Sequence, residues 1–81
     1  DDPAKLSNAE ILRIQMVHFE AFLDRAIRLG VPQVFVIHGI GKGTLREAIA
    51  MRLHDHPEVV DFKNEYHPKY GWGATEVILS A

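Results

Sequence analysis

The sequence predicts a single α/β domain, a two-layer sandwich with elements in the order α-β-α-β-β. Three observations carry that expectation. A stripe of apolar residues at helical spacing follows Ser7. A continuous apolar run, Val34-Phe35-Val36-Ile37, ends in a glycine-rich segment and gives way at once to a second helical stripe. An alternating segment near Val60 and an apolar segment, Ala74 to Leu79, then supply two further strands. The 81 residues suit one domain, and 47% hydrophobic with 25% charged residues is ordinary globular composition.

The elements are justified in turn. Asp1 to Leu6 lead in. Ser7 stands three residues before Glu10, the spacing of a capping box, with Leu6 and Ile11 placed as a hydrophobic staple around it. Leu12, Met16, Phe19, Leu23 and Ala26 form the apolar stripe of the first helix, and Arg13, Glu20, Asp24 and Arg28 fall on its opposite face. Gly30 stops the helix and Pro32 prevents its continuation. The unalternating run from Val34 to Ile37 fits a central strand buried on both faces. Thr44 with Glu47 repeats the capping-box spacing, and Leu45, Ala48, Ile49 and Leu53 make the stripe of a second helix that Pro57 limits at about His54 to His56. Val60, Phe62 and Asn64 alternate with Asp61, Lys63 and Glu65 as a half-exposed strand. A turn-rich stretch from His67 to Gly73 leads into the last strand, Ala74 to Leu79. Phe62 and Tyr66 are expected in the core.

Composition narrows the functions open to the chain. A formal charge of −2 gives no global basic field for nucleic acid, so any such binding must use a local patch. The absence of cysteine excludes disulfides, thiolate metal sites and a cysteine nucleophile. No apolar run approaches the roughly 20 residues that span a bilayer, and no membrane partner is expected. The first residue is Asp1 rather than Met, and the first amphipathic helix lacks the preceding strand that βα units normally have. The chain is therefore expected to be a piece of a longer protein, with a strand and further parent-protein domains upstream.

The segment His38 to Arg46 concentrates the chemistry. A strand ends in a loop with three glycines in five positions, Gly39, Gly41 and Gly43, and a helix opens behind it. Glycines let backbone amides approach an anion, and a helix N-terminus adds partial positive charge. Lys42 and Arg46 can add donors, and His38 stands at the carboxyl end of a strand, where open α/β sheets place ligands and where an imidazole can exchange protons. The alternative is a tight turn whose basic residues are merely solvated. Lys42 is followed by Gly43 rather than Ser or Thr, so a Walker A loop fails. Thr44 occupies the sixth position of the dinucleotide fingerprint, and although Asp61 can pass for its ribose-binding acid, the chain is too short for two mononucleotide halves. A polynucleotide phosphate is the better match.

These residues resemble a known family. His38-Gly39-Ile40-Gly41-Lys42-Gly43-Thr44-Leu45-Arg46 is similar to the H-G-x-G-x-G-x-L-R signature of the Smr (small MutS-related) domain. Gly71-Trp72-Gly73-Ala74-Thr75 matches its second signature, roughly G-G-x-G-A-T, except that Tyr70 stands where the first of two glycines is usual. His56-Pro57 with Val59 and Phe62 fits the stretch between, so the likeness covers residues 9–79. The resemblance implies the β-α-β-α-β-β fold of the C-terminal domain of translation initiation factor three, here without its first strand. It implies binding of DNA or RNA and, in several members, endonuclease activity that nicks DNA or cuts RNA. A cytoplasmic setting is expected, and no cofactor is assigned. His38 would be the active-site histidine, with Gly39, Gly41, Gly43 and Thr44 in the phosphate loop and Lys42 and Arg46 on the phosphate. A third family motif, L-D-x-H on the first strand, has no counterpart here, which leaves an enzyme and a non-catalytic binding module of a larger repair, recombination or translation-quality protein both open. A protein-interaction domain is a more distant third.

His67, Lys69, Tyr70 and Trp72, with Gly73, combine cationic and aromatic groups suited to single-stranded or distorted nucleic acid. The competing expectation for Tyr70 and Trp72 is a lid packed over the sheet edge. His54-Asp55-His56 invites a metal site, but alternate positions at a helix end point apart and no third ligand is evident, so helix capping is expected and no metal is assigned. His18 is expected to be structural.

Overall fold

The structure, a computed structural model, describes residues 7–39 and 43–80. Five elements follow the expected order: α1 (Asn8–Arg28), β1 (Gln33–Ile37), α2 (Thr44–His54), β2 (Val59–Lys63) and β3 (Ala74–Leu79). The capping serine of α1 is Ser7, whose Oγ accepts from the Glu10 amide at 3.1 Å, while its hydroxyl meets Glu10 Oε1 at 3.1 Å. Leu6 of the expected staple lies outside the described residues. The far end closes as a Schellman motif, with Val31 N donating to Ala26 O and Gly30 N to Ile27 O.

The strands form one antiparallel sheet in the order β1-β3-β2. Val36 lies opposite Thr75 and Val34 opposite Val77, so these residues share the face that the helices cover. The core consists of Phe19, Leu23 and Ala26 from α1, Ile49 and Leu53 from α2, and Val36, Val77 and Leu79 from the sheet. The other face carries Gln33, Phe35, Glu76, Ile78, Asp61 and Lys63, read from the same register.

Three expectations are corrected. Among the described strands the central one is β3, with β1 at an edge, because both other strands pair with β3. The apolar run of β1 misleads because its outward residue Phe35 is covered by a loop, through the rings of His67 and Tyr70, while Ile37 is exposed. The second correction concerns β2. Val59 lies opposite Leu79 and Asp61 opposite Ile78, so Val60 is the extra residue of a bulge and is 65% exposed. The bulge resets the alternation and lets both Val59 and Phe62 pack on the core. Thirdly, Glu20 does not face away from the fold: its carboxylate accepts from Arg52 Nη2 at 2.6 and 2.7 Å, joining α1 to α2. The pair is half exposed, so it orients the helices more than it stabilises them.

Beside β1 runs an apolar groove of about 390 Å³, walled by Phe19 and Phe22 of α1 and by Phe35, Val36 and Ile37. Three consecutive strand residues alternate between faces, so they can line one groove only along the strand's edge. That edge, opposite β3, has no partner strand among the described residues.

Leu53 is almost completely buried, whereas Met51, two residues away on the same helix, is exposed. Leu53→Ala is expected to cost about 2–5 kcal/mol and Met51→Ala less than about 0.5 kcal/mol. Urea titrations of the two variants check this, and equal midpoints would contradict the described core.

Candidate functional site

The two glycine-containing segments meet at one atom. The carbonyl oxygen of Gly73 accepts the amides of both His38 and Gly39, each at 2.9 Å. Gly73 is buried, and a Cβ placed on it would lie 3.3 Å from Gly39 Cα and 3.3 Å from the Tyr70 carbonyl oxygen. Such contacts are tighter than ordinary van der Waals packing, so a side chain here would push the two backbones apart by a few tenths of an ångström. The Gly39 amide is thus committed within the fold.

His38 follows the last residue of β1 and continues its helix-facing set after Val36. Its imidazole is half-buried and partnered at both nitrogens. Nε2 lies 2.9 Å from Thr75 Oγ1, and Nδ1 lies 3.0 Å from the Gly39 carbonyl oxygen. Thr75 is 1% exposed, and its hydroxyl donates in turn to Asn64 Oδ1 at the end of β2. Three segments separated by 37 and 11 residues therefore converge on one hydroxyl. Neither Thr75 nor Asn64 was identified as a site residue from sequence. The signal available was a lone hydroxyl in the otherwise apolar inward set Thr75, Val77, Leu79, which a buried position must satisfy with partners.

Helix α2 begins differently from expectation. Its N-cap is Gly43, at φ 86° and ψ 0°, and no side chain caps the helix. The Gly43 carbonyl accepts the Glu47 amide at 2.8 Å, so Thr44 is already the first helical residue and the Thr44–Glu47 capping box does not form. The left-handed turn at Gly43 explains this, because it brings the chain into helical conformation one residue early. Among the described residues no side chain accepts the first-turn amides. Arg46 is exposed, and its Nη2 would stand 3.1 Å from a Cβ on Gly43. Gly41 and Lys42 lie outside the described residues.

The segment between β2 and β3 folds back over the open face of the sheet. His67 and Gly71 exchange backbone hydrogen bonds, at 2.9 and 2.6 Å. The His67 ring meets Phe35 edge-on at 4.8 Å and stacks on Tyr70 at 4.9 Å. Its Nδ1 accepts the Lys69 amide at 2.9 Å, which makes His67 a packing and turn residue in this arrangement. Lys69 Nζ lies 5.4 Å from the centre of the Tyr70 ring. Trp72 is exposed and meets Tyr66 edge-on at 5.6 Å. Tyr66, expected in the core, is 61% exposed. Its neighbours explain the difference: β2 ends at Lys63, so Tyr66 belongs to the returning loop rather than to the alternation of the strand.

At the far end of α2, His54 Nδ1 meets Asp55 Oδ1 at 3.3 Å, while His56 Nδ1 accepts the Glu58 amide at 3.1 Å. His56 thus shapes the turn into β2. Among the described residues no three His, Asp or Glu side chains are placed to hold a metal ion. His18 is exposed on α1.

This arrangement has known counterparts. The family model described as the Smr domain matches residues 15–80. The chain is 47% identical over 60 residues to a protein named Endonuclease MutS2 from Thermomicrobium roseum, covering 74% of this chain and 8% of the relative. It is 38% identical over 65 residues to the Endonuclease MutS2 of Pelotomaculum thermopropionicum, covering 80% and 8%. The chain therefore spans less than a tenth of the length of these relatives. Among solved structures, the Smr domain of Thermus thermophilus MutS2 superposes with a TM-score of 0.77 at 30% identity, over 86% of this chain and 88% of that one. YdaL, a stand-alone small MutS-related protein from Escherichia coli, superposes with a TM-score of 0.69 at 26% identity, over 75% and 51%. The two sequence signatures, the α/β fold and the family match agree, and the chain belongs to the Smr domain family.

Proposed function

We propose that this Smr domain binds DNA or RNA and cleaves its phosphodiester backbone. The observation that supports the reading is the junction at Gly73, whose carbonyl accepts the His38 and Gly39 amides and so holds His38 at the end of β1, ahead in sequence of the segment that leads to α2. A phosphate docked there meets the uncapped amides at the start of α2 and the guanidinium of Arg46, with Lys42 as a further cation. His38 acts as general acid or base on the attacking or leaving oxygen, whether the nucleophile is water or a ribose hydroxyl. Donors aimed at the phosphate then stabilise charge that grows in the transition state. Lys69 and the exposed ring of Trp72 extend the binding surface along the strand of nucleic acid. The relatives' name, endonuclease, supports the reading, and their length supports a place within a larger protein. The open edge of β1 with its apolar groove is the place for the strand expected ahead of α1.

His38→Ala is expected to abolish nicking of supercoiled plasmid and cleavage of labelled single-stranded RNA while leaving affinity within a few-fold. Full activity in the variant would remove His38 from the reaction, and loss of affinity without cleavage in either protein would favour a binding module.

Affinity should fall with salt along a log–log slope of roughly −2 to −3, the value for three phosphate contacts. Charge reversal at Lys42, Arg46 or Lys69 should each flatten that slope by about one unit. Fluorescence anisotropy at several salt concentrations measures it, and salt-independent binding would place the interface on another surface.

A form of the protein beginning about 10–20 residues earlier, enough for one strand and its turn, should melt at higher temperature and cleave faster. Identical melting curves would show that no preceding strand completes the sheet.

A further inference from the structure

We infer that Thr75 and Asn64 are positioning residues that hold the proton on Nε2 of His38, so that Nδ1 is the nitrogen that exchanges protons with substrate. The functional half of this inference rests on His38 being the active-site histidine; the structural half stands without it.

The argument is an account of donors and acceptors. A threonine hydroxyl has one hydrogen to give, and a carbonyl oxygen only accepts. Thr75 gives its hydrogen to Asn64 Oδ1. At its contact with Nε2, 2.9 Å away, Thr75 Oγ1 can therefore only accept, and Nε2 must carry a hydrogen. When the ring carries a second hydrogen, Nδ1, 3.0 Å from the carbonyl oxygen of Gly39, donates as well. The two hydrogens are not equally held. The one on Nε2 points into a hydroxyl that is 1% exposed and whose own hydrogen is already committed. The one on Nδ1 points at the backbone of an exposed loop residue, where a water or a phosphate oxygen can replace the carbonyl. Release of one proton therefore leaves the Nε2–H tautomer, and the Nδ1 lone pair, which the Gly39 carbonyl oxygen cannot satisfy, takes its hydrogen bond from a water or a substrate hydroxyl. In both protonation states the Nε2–H···Thr75···Asn64 bonds persist, so the ring need not turn between accepting a proton and returning it.

The reverse polarity has a defined structural cause and a defined signature. If Asn64 presented its amide nitrogen to Thr75, the threonine would donate to Nε2 and the neutral ring would carry its hydrogen on Nδ1. The oxygen and nitrogen of Asn64 thus select the tautomer, and a carboxylate at this position, which only accepts when ionised, must select the Nε2–H form.

Long-range ¹H–¹⁵N correlation spectra of the labelled 81-residue protein test this at alkaline pH. The His38 signals are identified among the five histidines by their loss in His38→Gln. The expected wild-type form is Nε2–H. Thr75→Val, which keeps the shape and removes the hydroxyl, should shift the population to Nδ1–H, which Gly39 still accepts. Thr75→Ser and Asn64→Asp should keep Nε2–H. In cleavage assays Thr75→Val should lose about 10- to 100-fold, part of the 10²- to 10⁴-fold that general acid–base catalysis supplies, with Thr75→Ser and Asn64→Asp within a few-fold of wild type. Should Thr75→Val not fold, Asn64→Leu at the exposed end of the chain of bonds carries the same expectation of a weakened Nε2–H preference. A wild-type Nδ1–H tautomer, or a tautomer unmoved by both Thr75→Val and Asn64→Leu, would overturn the inference. The outcome is separable from that of His38→Ala: full cleavage by His38→Ala refutes the catalytic assignment and leaves the spectra to decide the anchor.

Discussion

The carbonyl oxygen of Gly73 is the constraint on which the rest of the site depends. It receives two backbone amides, from His38 and Gly39, and so ties the end of β1 to the residue that begins the β3 side of the sheet. A single oxygen can satisfy two donors only if both chains approach it closely, and the approach is eased because Gly73 has no Cβ to press on Gly39 and the Tyr70 carbonyl, while Gly39 adopts a positive φ of 75°. Once that junction forms, the backbone of His38 and Gly39 is held against the start of β3. Larger residues at Gly73 would separate the two loops before they disturbed any apolar contact of the core.

The buried Thr75 hydroxyl links that junction to the core. Leaving a buried hydroxyl unpaired costs about 1–3 kcal/mol, and here the cost is avoided by partners from two other segments, His38 and Asn64. No buried side-chain nitrogen or oxygen among the described residues lacks a partner. The central strand thus carries two kinds of information on one face. Val77 and Leu79 fix its position against the helices, and Thr75 fixes the imidazole.

Helix α1 was legible because its information is local: Ser7 and Glu10 cap one end, Gly30 closes the other, and the stripe ending in Phe19, Leu23 and Ala26 is the buried face. The start of β3 was legible for a similar reason, since the apolar run from Ala74 to Leu79 follows directly on a glycine-rich turn. What escaped the sequence depends on pairing between distant segments. The edge position of β1 follows from which strand accepts both neighbours, and the bulge at Val60 from how β2 meets Leu79 and Ile78. The Thr44–Glu47 spacing matched a capping box, but backbone conformation at Gly43 decided the helix start. His38 could be read as a site residue from its place after a strand, whereas its partners Thr75 and Asn64 could not, because only the folded sheet brings them together.

The dependence on pairing also explains how such a site can be held by a small domain. In the β1–β3 ladder Val36 faces Thr75 and Val34 faces Val77. A slip of one residue would turn every β3 side chain to the other face. Val77 and Leu79 would then leave the core for the open face, at roughly 1.5–3 kcal/mol for each fully buried aliphatic side chain. Thr75 cannot move without them, so the hydrophobic effect acting on two aliphatic residues enforces the placement of a hydroxyl that by itself could not specify register. His38 inherits the same precision, since it stands two residues beyond Val36 on the paired strand. The apolar packing of α1 and α2 on one face of the sheet thus determines, through a register fixed at Val77 and Leu79, which nitrogen of an imidazole at the sheet's end is anchored and which is presented to the loop.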